Sequence, residues 1–105
     1  MRKSPPLFTS KGEWSVLLVY PVKKAEGCFG VAIPRSLFPQ STLRNRLRRQ
    51  IREAVRLLKK EEHLSLGDKM TRRDLLIRVQ KRIFPPFAAI RKEMETHLRQ
   101  FERLR

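Results

Sequence analysis

Residues 43 to 56 read Leu-Arg-Asn-Arg-Leu-Arg-Arg-Gln-Ile-Arg-Glu-Ala-Val-Arg, and their two faces decide the fold. Wound at roughly 100° per residue, they place Leu43, Leu47, Ile51, Ala54 and Val55, continued by Leu58, on one stripe spaced by threes and fours. The opposite side carries Asn45, Arg48, Arg49, Arg52, Arg56 and Lys59, with Arg44 and Arg46 on its flanks and Glu53 the only acid. One face requires a core; the other repels itself unless an anion lies on it.

The whole chain shares that bias. Its 105 residues hold 25 Lys and Arg against 10 Asp and Glu, a net charge of +15, which calls for a polyanionic partner, nucleic acid before a membrane surface. The length fits one domain, residues 1 to 105, with a short, poorly defined N-terminal segment over residues 1 to 13. The apolar runs at residues 15 to 22 and 74 to 79 fall far short of the roughly 20 residues that span a bilayer, so no membrane role is expected. The N-terminus lacks the apolar core of a signal peptide, giving a cytoplasmic expectation. Cys28 is the only cysteine, which removes internal disulfides and cysteine-based zinc sites and leaves it the role of a small apolar residue in a strand.

Working outward from the helix, residues 15 to 22 (Ser-Val-Leu-Leu-Val-Tyr-Pro-Val) and 28 to 33 (Cys-Phe-Gly-Val-Ala-Ile) read as strands, most simply joined as a hairpin through the polar residues 23 to 27. Gly30 predicts a bulge or a close backbone approach. Ser41 or Thr42 is placed to cap the basic helix, which runs to about Lys60. A polar connection then leads to a strand over residues 74 to 79. Pro86 suits the first turn of a last helix, whose stripe is Phe87, Ile90, Met94, Leu98, Phe101 and Leu104. On that helix Arg91, Glu95 and Arg99 alternate in sign at i,i+4, an ordinary solvated face. The fold class is α+β, a mixed sheet of three to four strands with helices against it, the fourth strand lying before Trp14.

A search for catalytic sets is nearly empty. His63 and His97 lie on different elements, His97 beside an apolar stripe, and the four glycines form no phosphate-cradling loop. The chemistry is concentrated in the arginines, whose planar forks favour bidentate phosphate contacts and base stacking, with Asn45 able to bond a sugar, phosphate or base edge.

The run Arg44-Asn45-Arg46-Leu47-Arg48-Arg49-Gln50-Ile51-Arg52-Glu53-Ala54 resembles the signature helix of the protein subunit of bacterial ribonuclease P, which removes the 5′ leader from precursor tRNA. Residues 14 to 22, 29 to 33, 74 to 81 and 86 to 101 resemble that family's flanking strands and closing helix. The resemblance implies a single-domain α/β sandwich with a left-handed βαβ crossover. It also implies a division of labour in which the RNA subunit with Mg²⁺ hydrolyses the phosphodiester, and the protein, with no catalytic or metal-binding side chain, holds that RNA and the leader, one protein per RNA. Arg44, Asn45, Arg46, Arg48, Arg49 and Arg52 match the RNA-binding motif, Arg56 extends the same face, and Arg35 matches a basic position at a strand end. Tyr20 matches an aromatic position of the leader cleft, and Phe8 is the one candidate for a second. The chain departs from the family in lacking an opening helix and in a glycine-free loop, Pro34-Arg35-Ser36-Leu37-Phe38-Pro39-Gln40-Ser41, where Phe38 is expected to cover the core.

Two other classes use such a helix. A small ribosomal or other structural RNA-binding protein is the alternative, and a DNA-binding regulator is weaker, since strands stand where a helix-turn-helix partner belongs. The charge alone generates a prediction: sulfate or phosphate stabilises the isolated protein more than chloride at equal ionic strength. An anion at five times its Kd adds about 1 kcal/mol, or about 4–8 °C in Tm for a chain of this size. Melting curves indifferent to the anion would contradict an anion-collecting face.

Overall fold

The computed structural model describes residues 5–21, 28–61 and 73–103. Its elements are β1 (Phe8–Lys11), β2 (Ser15–Pro21), β3 (Phe29–Ala32), α1 (Ser41–Glu61), β4 (Arg73–Val79) and α2 (Phe87–Glu102). The expected turn at 23 to 27, most of the connection before β4, His63 and Leu104 lie outside the described residues. The strands form one mixed sheet in the order β1-β2-β4-β3, so the fold is α+β with four strands, the first of them before Trp14. β1 and β4 flank β2 antiparallel, and β3 runs parallel to β4, with α1 in the crossover between them.

The expected β2–β3 hairpin does not form. β2 and β3 are antiparallel in direction, but β4 lies between them, pairing from Ser15↔Val79 to Pro21↔Arg73 on one side and from Phe29↔Leu75 to Ala32↔Arg78 on the other. The physical reason is the character of β4. Leu75, Ile77 and Val79 are its buried alternate residues, and placing the strand centrally gives both of its backbone edges partners. The short strands β1 and β3, four residues each, take the edges instead.

The face of the sheet toward the helices presents Leu17, Val19, Val31, Leu75, Ile77 and Val79, which join Leu47, Ile51, Ala54, Val55 and Leu58 of α1 and Ile90, Met94, Leu98 and Phe101 of α2 in one core. Two stripe residues fall outside it. Leu43 and Phe87, each 36% exposed, sit in the first turn of their helices. Before the start of α1 the preceding loop inserts Phe38 into the core. The first helical bond, Arg44 N–H to the Gln40 carbonyl, makes Gln40 the cap rather than Ser41 or Thr42. Pro86 likewise stands at the cap of α2, just before its first turn. Cys28 is exposed, not buried in a strand: its backbone carbonyl accepts from Leu75 N–H and its own N–H donates to Asp74 Oδ1, while its side chain stays outside.

The glycine with a packing role is Gly12, not Gly30. A Cβ at Gly30 would stand 3.6 Å from Leu76 Cδ1, an ordinary contact in an unbroken register without a bulge. At Gly12 it would lie 2.5 Å from the Glu93 carboxyl carbon. That carboxylate is fixed from several sides: it accepts the backbone N–H of Glu13 (2.8 Å) and Trp14 (3.3 Å) and the Ser15 hydroxyl. One turn along α2, His97 is fully buried with Nδ1 3.0 Å from Ser10 Oγ and Nε2 3.0 Å from Ser15 Oγ.

The single Ser15 hydroxyl proton goes to Glu93, so Ser15 Oγ accepts from His97 Nε2–H, and in the neutral imidazole that burial favours Nδ1 accepts from Ser10. Burial lowers the pKa of His97 below 6.5, against the pull of Glu93. Because the folded imidazole binds its proton more weakly than the unfolded one, acid favours unfolding. The stability that neutral His97 contributes is complete above pH 6.5 and is lost as the pH falls below that value toward the depressed folded pKa. Denaturant titrations across this window should show a slope of at most about 1.4 kcal/mol per pH unit from this group. The slope should flatten in His97→Gln. A slope unchanged in that variant would assign the pH dependence elsewhere.

Candidate nucleic-acid interface

With Leu47, Ile51, Ala54 and Leu58 fully buried and Val55 beside them in the core, the rotation of α1 is fixed and its polar face is turned outward. Each buried Leu or Ile contributes about 1.5–3 kcal/mol to holding that orientation. Asn45, Arg46, Arg49, Arg52, Arg56 and Lys59 are exposed, whereas Arg44 and Arg48 are half-buried.

The arginines divide by what they touch. Arg44 Nη1 donates to the carbonyls of Phe38 (2.7 Å) and Pro39 (2.9 Å), closing the loop that carries Phe38 into the core. Arg48 donates through Nε to the Val31 carbonyl of β3 (3.4 Å) and through Nη1 to Asn45 Oδ1 (2.9 Å). Arg46 lies 5.8 Å from the centre of the Phe84 ring, in cation–π range. Arg56 pairs with Glu53, and its hydrogen bond holds that carboxyl below the usual carboxylate range. On α2 the corresponding pair is Arg99–Glu95 at 3.0 Å, the alternating face expected there.

Arg49 and Arg52 have neither a hydrogen bond nor an ion pair among the described residues. Together with Thr42, Asn45 and Arg48 they line an open groove of about 570 Å³ on the outer side of the helix. Two free planar guanidiniums, one already oriented beside them and an amide make a surface suited to bidentate phosphate contacts. Arg35 is exposed in the turn after β3 and does not line this groove. The two aromatic candidates are not brought together. Phe8 stands opposite Val19 and packs on the helix-side core, whereas Tyr20, one residue along β2, is buried on the other face. Sequence reasoning overlooked Phe84, which lies under Arg46, and also Gln50 and the outward turn of Phe87, which share a groove with Arg46 and Arg49. The i,i+4 spacing of Arg46 and Gln50 on the flank of α1 was the available signal. Among the described residues no group of three or more His, Cys, Asp or Glu side chains is placed to hold a metal, and no helix is long and apolar enough to cross a membrane.

A small α+β scaffold that turns an arginine-rich helix face outward defines an RNA-binding protein. The ribonuclease P family model matches residues 9–102, so the chain belongs to the ribonuclease P protein family. Among solved structures, the Staphylococcus aureus RNase P protein is 18% identical over 89% of this chain and 79% of its own, with a TM-score of 0.66. The Thermotoga maritima RNase P protein is 17% identical over 93% and 84%, with a TM-score of 0.64. These two likenesses establish the fold. No curated protein sequence matches the chain. Family membership makes it a subunit of ribonuclease P and gives it the RNA of that enzyme as its partner.

The division among the arginines is testable by combining salt titration with stability. Arg49→Ala with Arg52→Ala should weaken RNA binding and reduce the log–log salt slope by roughly 1.5–2, at unchanged stability. Arg44→Ala should leave the slope alone and cost about 1–3 kcal/mol of stability, since it strips the donor from two loop carbonyls. The reverse pattern would show that the roles are assigned the wrong way round.

Proposed function

We propose that the ribonuclease P RNA, with Mg²⁺, carries out the hydrolysis of precursor tRNA while this chain binds that RNA along the outer face of α1 and extends contact to the 5′ leader. One protein serves one RNA, in the cytoplasm. The observation that carries the reading is the Arg49–Arg52 groove, cationic, open and held outward by a helix whose other side is locked in the core. The protein's part is to offset phosphate repulsion where two RNAs meet, a task that needs fixed positive charge and no titrating group.

The sheet face turned away from the helices supports the leader contact. Register places Lys11, Val16, Arg78 and Ala32 in one row across the sheet and Thr9, Leu18, Leu76 and Gly30 in the next, with Tyr20 opposite Asp74 beyond them. Leu18 and Leu76 are half-exposed, and Lys11 and Arg78 are exposed. A single strand of RNA laid over the leucines would find both cations in the adjacent row. Phe8 faces the core and is not part of this surface; Tyr20 closes it at one end.

The test is cleavage of a precursor tRNA by a ribonuclease P RNA transcript at Mg²⁺ too low for the RNA alone. The chain should restore cleavage. Lys11→Ala with Arg78→Ala should reduce the stimulation severalfold for a precursor with a long leader and leave a one-nucleotide leader unaffected. Absence of stimulation, with the protein bound to the transcript, would favour a purely structural RNA-binding role.

A further inference from the structure

Beside the phosphate groove lies a second one that the RNA-backbone reading does not use. Arg46, Arg49, Gln50 and Glu53, at i, i+3, i+4 and i+7 on one flank of α1, form one wall, and Phe87 at the start of α2 forms the other, bordering an open groove of about 400 Å³.

Three features of the groove point to one kind of occupant. Phe87 breaks the buried stripe of its helix and leaves 36% of its surface in water, where its ring serves no core. The Gln50 amide is half-buried and makes no hydrogen bond among the described residues, so a donor and an acceptor stand open beside that ring. Arg49 lines both grooves, so a phosphate held by Arg49 and Arg52 leaves its attached sugar and base at the entrance of the second. Arg46 is already engaged over Phe84 and frames the site without filling it.

Resting on the assignment of α1 as the RNA-binding helix, we propose that this groove is a nucleobase site. An unpaired base of the bound RNA turns out of its strand, stacks on Phe87 and is read along its edge by the Gln50 amide, while its phosphate stays on Arg49. An aromatic ring flanked by guanidiniums is the combination that single-stranded RNA recognition uses. A second copy of the chain is disfavoured as occupant, since each carries +15.

The experiment compares Phe87→Leu, Phe87→Trp and Arg49→Ala in the full chain, with two probes, a ribonuclease P RNA transcript and a blunt RNA duplex. Phe87→Leu should lose roughly tenfold in affinity for the transcript, within the range of one stacked base, and nothing for the duplex. Phe87→Trp should keep the affinity, and its added fluorescence should be quenched by the transcript but not by the duplex. Equal binding of the transcript by Phe87→Leu and the unmodified chain, while Arg49→Ala is weakened, would overturn the stacking site and leave the RNA-binding helix standing. Unchanged binding in Arg49→Ala and in the double Arg49→Ala, Arg52→Ala variant would instead sink the underlying assignment. Self-association that Phe87→Leu abolishes, at unaltered RNA affinity, would give the ring to a protein interface and overturn the proposal.

Discussion

Burial of Leu47, Ile51, Ala54 and Leu58 is the constraint on which the remaining structure depends. A helix bearing this much positive charge on one side has little reason to form alone, because neighbouring arginines repel and no acid stands in its first turn. Packing against α2 and β3 supplies the missing free energy and fixes the rotation of the helix at the same time. The apolar stripe therefore does two things. It contributes stability, and it decides which guanidiniums face water.

The other seam is polar. Glu93 and His97 of α2 are buried against the β1–β2 turn, where Ser10, Ser15 and two backbone N–H groups satisfy them. Such a network stabilises only when each member has a partner, since a buried polar group left alone costs more than the bond it would have made. It fixes α2 in register with the sheet edge, which an apolar contact alone would leave free to slide. Gly12 belongs to the same device, because any side chain there would strike the carboxylate.

Within the basic helix, one residue type performs several tasks. Arg44 and Arg48 bind the protein's own carbonyls, Arg46 covers an aromatic ring, Arg56 neutralises Glu53, and Arg49 and Arg52 are left for a ligand. The contacts of Arg48 with β3 and Asn45 hold one guanidinium of the open groove oriented in advance, which lowers the side-chain entropy that a ligand there has to offset. Membership of the ribonuclease P family gives the chain that enzyme's RNA as its partner.

Much of this was legible in the sequence. The period of Leu47, Ile51, Ala54 and Leu58 gave the helix and its buried side, the apolar runs gave three of the strands, and the charge imbalance gave a polyanion as partner. Local pattern carries that information because a helix or strand is set by residues three, four or two apart. Tertiary structure alone decided the rest. It inserted β4 between β2 and β3, turned Leu43 and Phe87 outward, exposed Cys28, and placed Phe8 and Tyr20 on opposite faces of the sheet. It also sorted the arginines, because whether a guanidinium is free depends on which carbonyl, ring or carboxylate a distant segment brings within reach. The sequence determined that α1 has a cationic face; only the packing of the loop, β3 and α2 around it determined which part of that face is open.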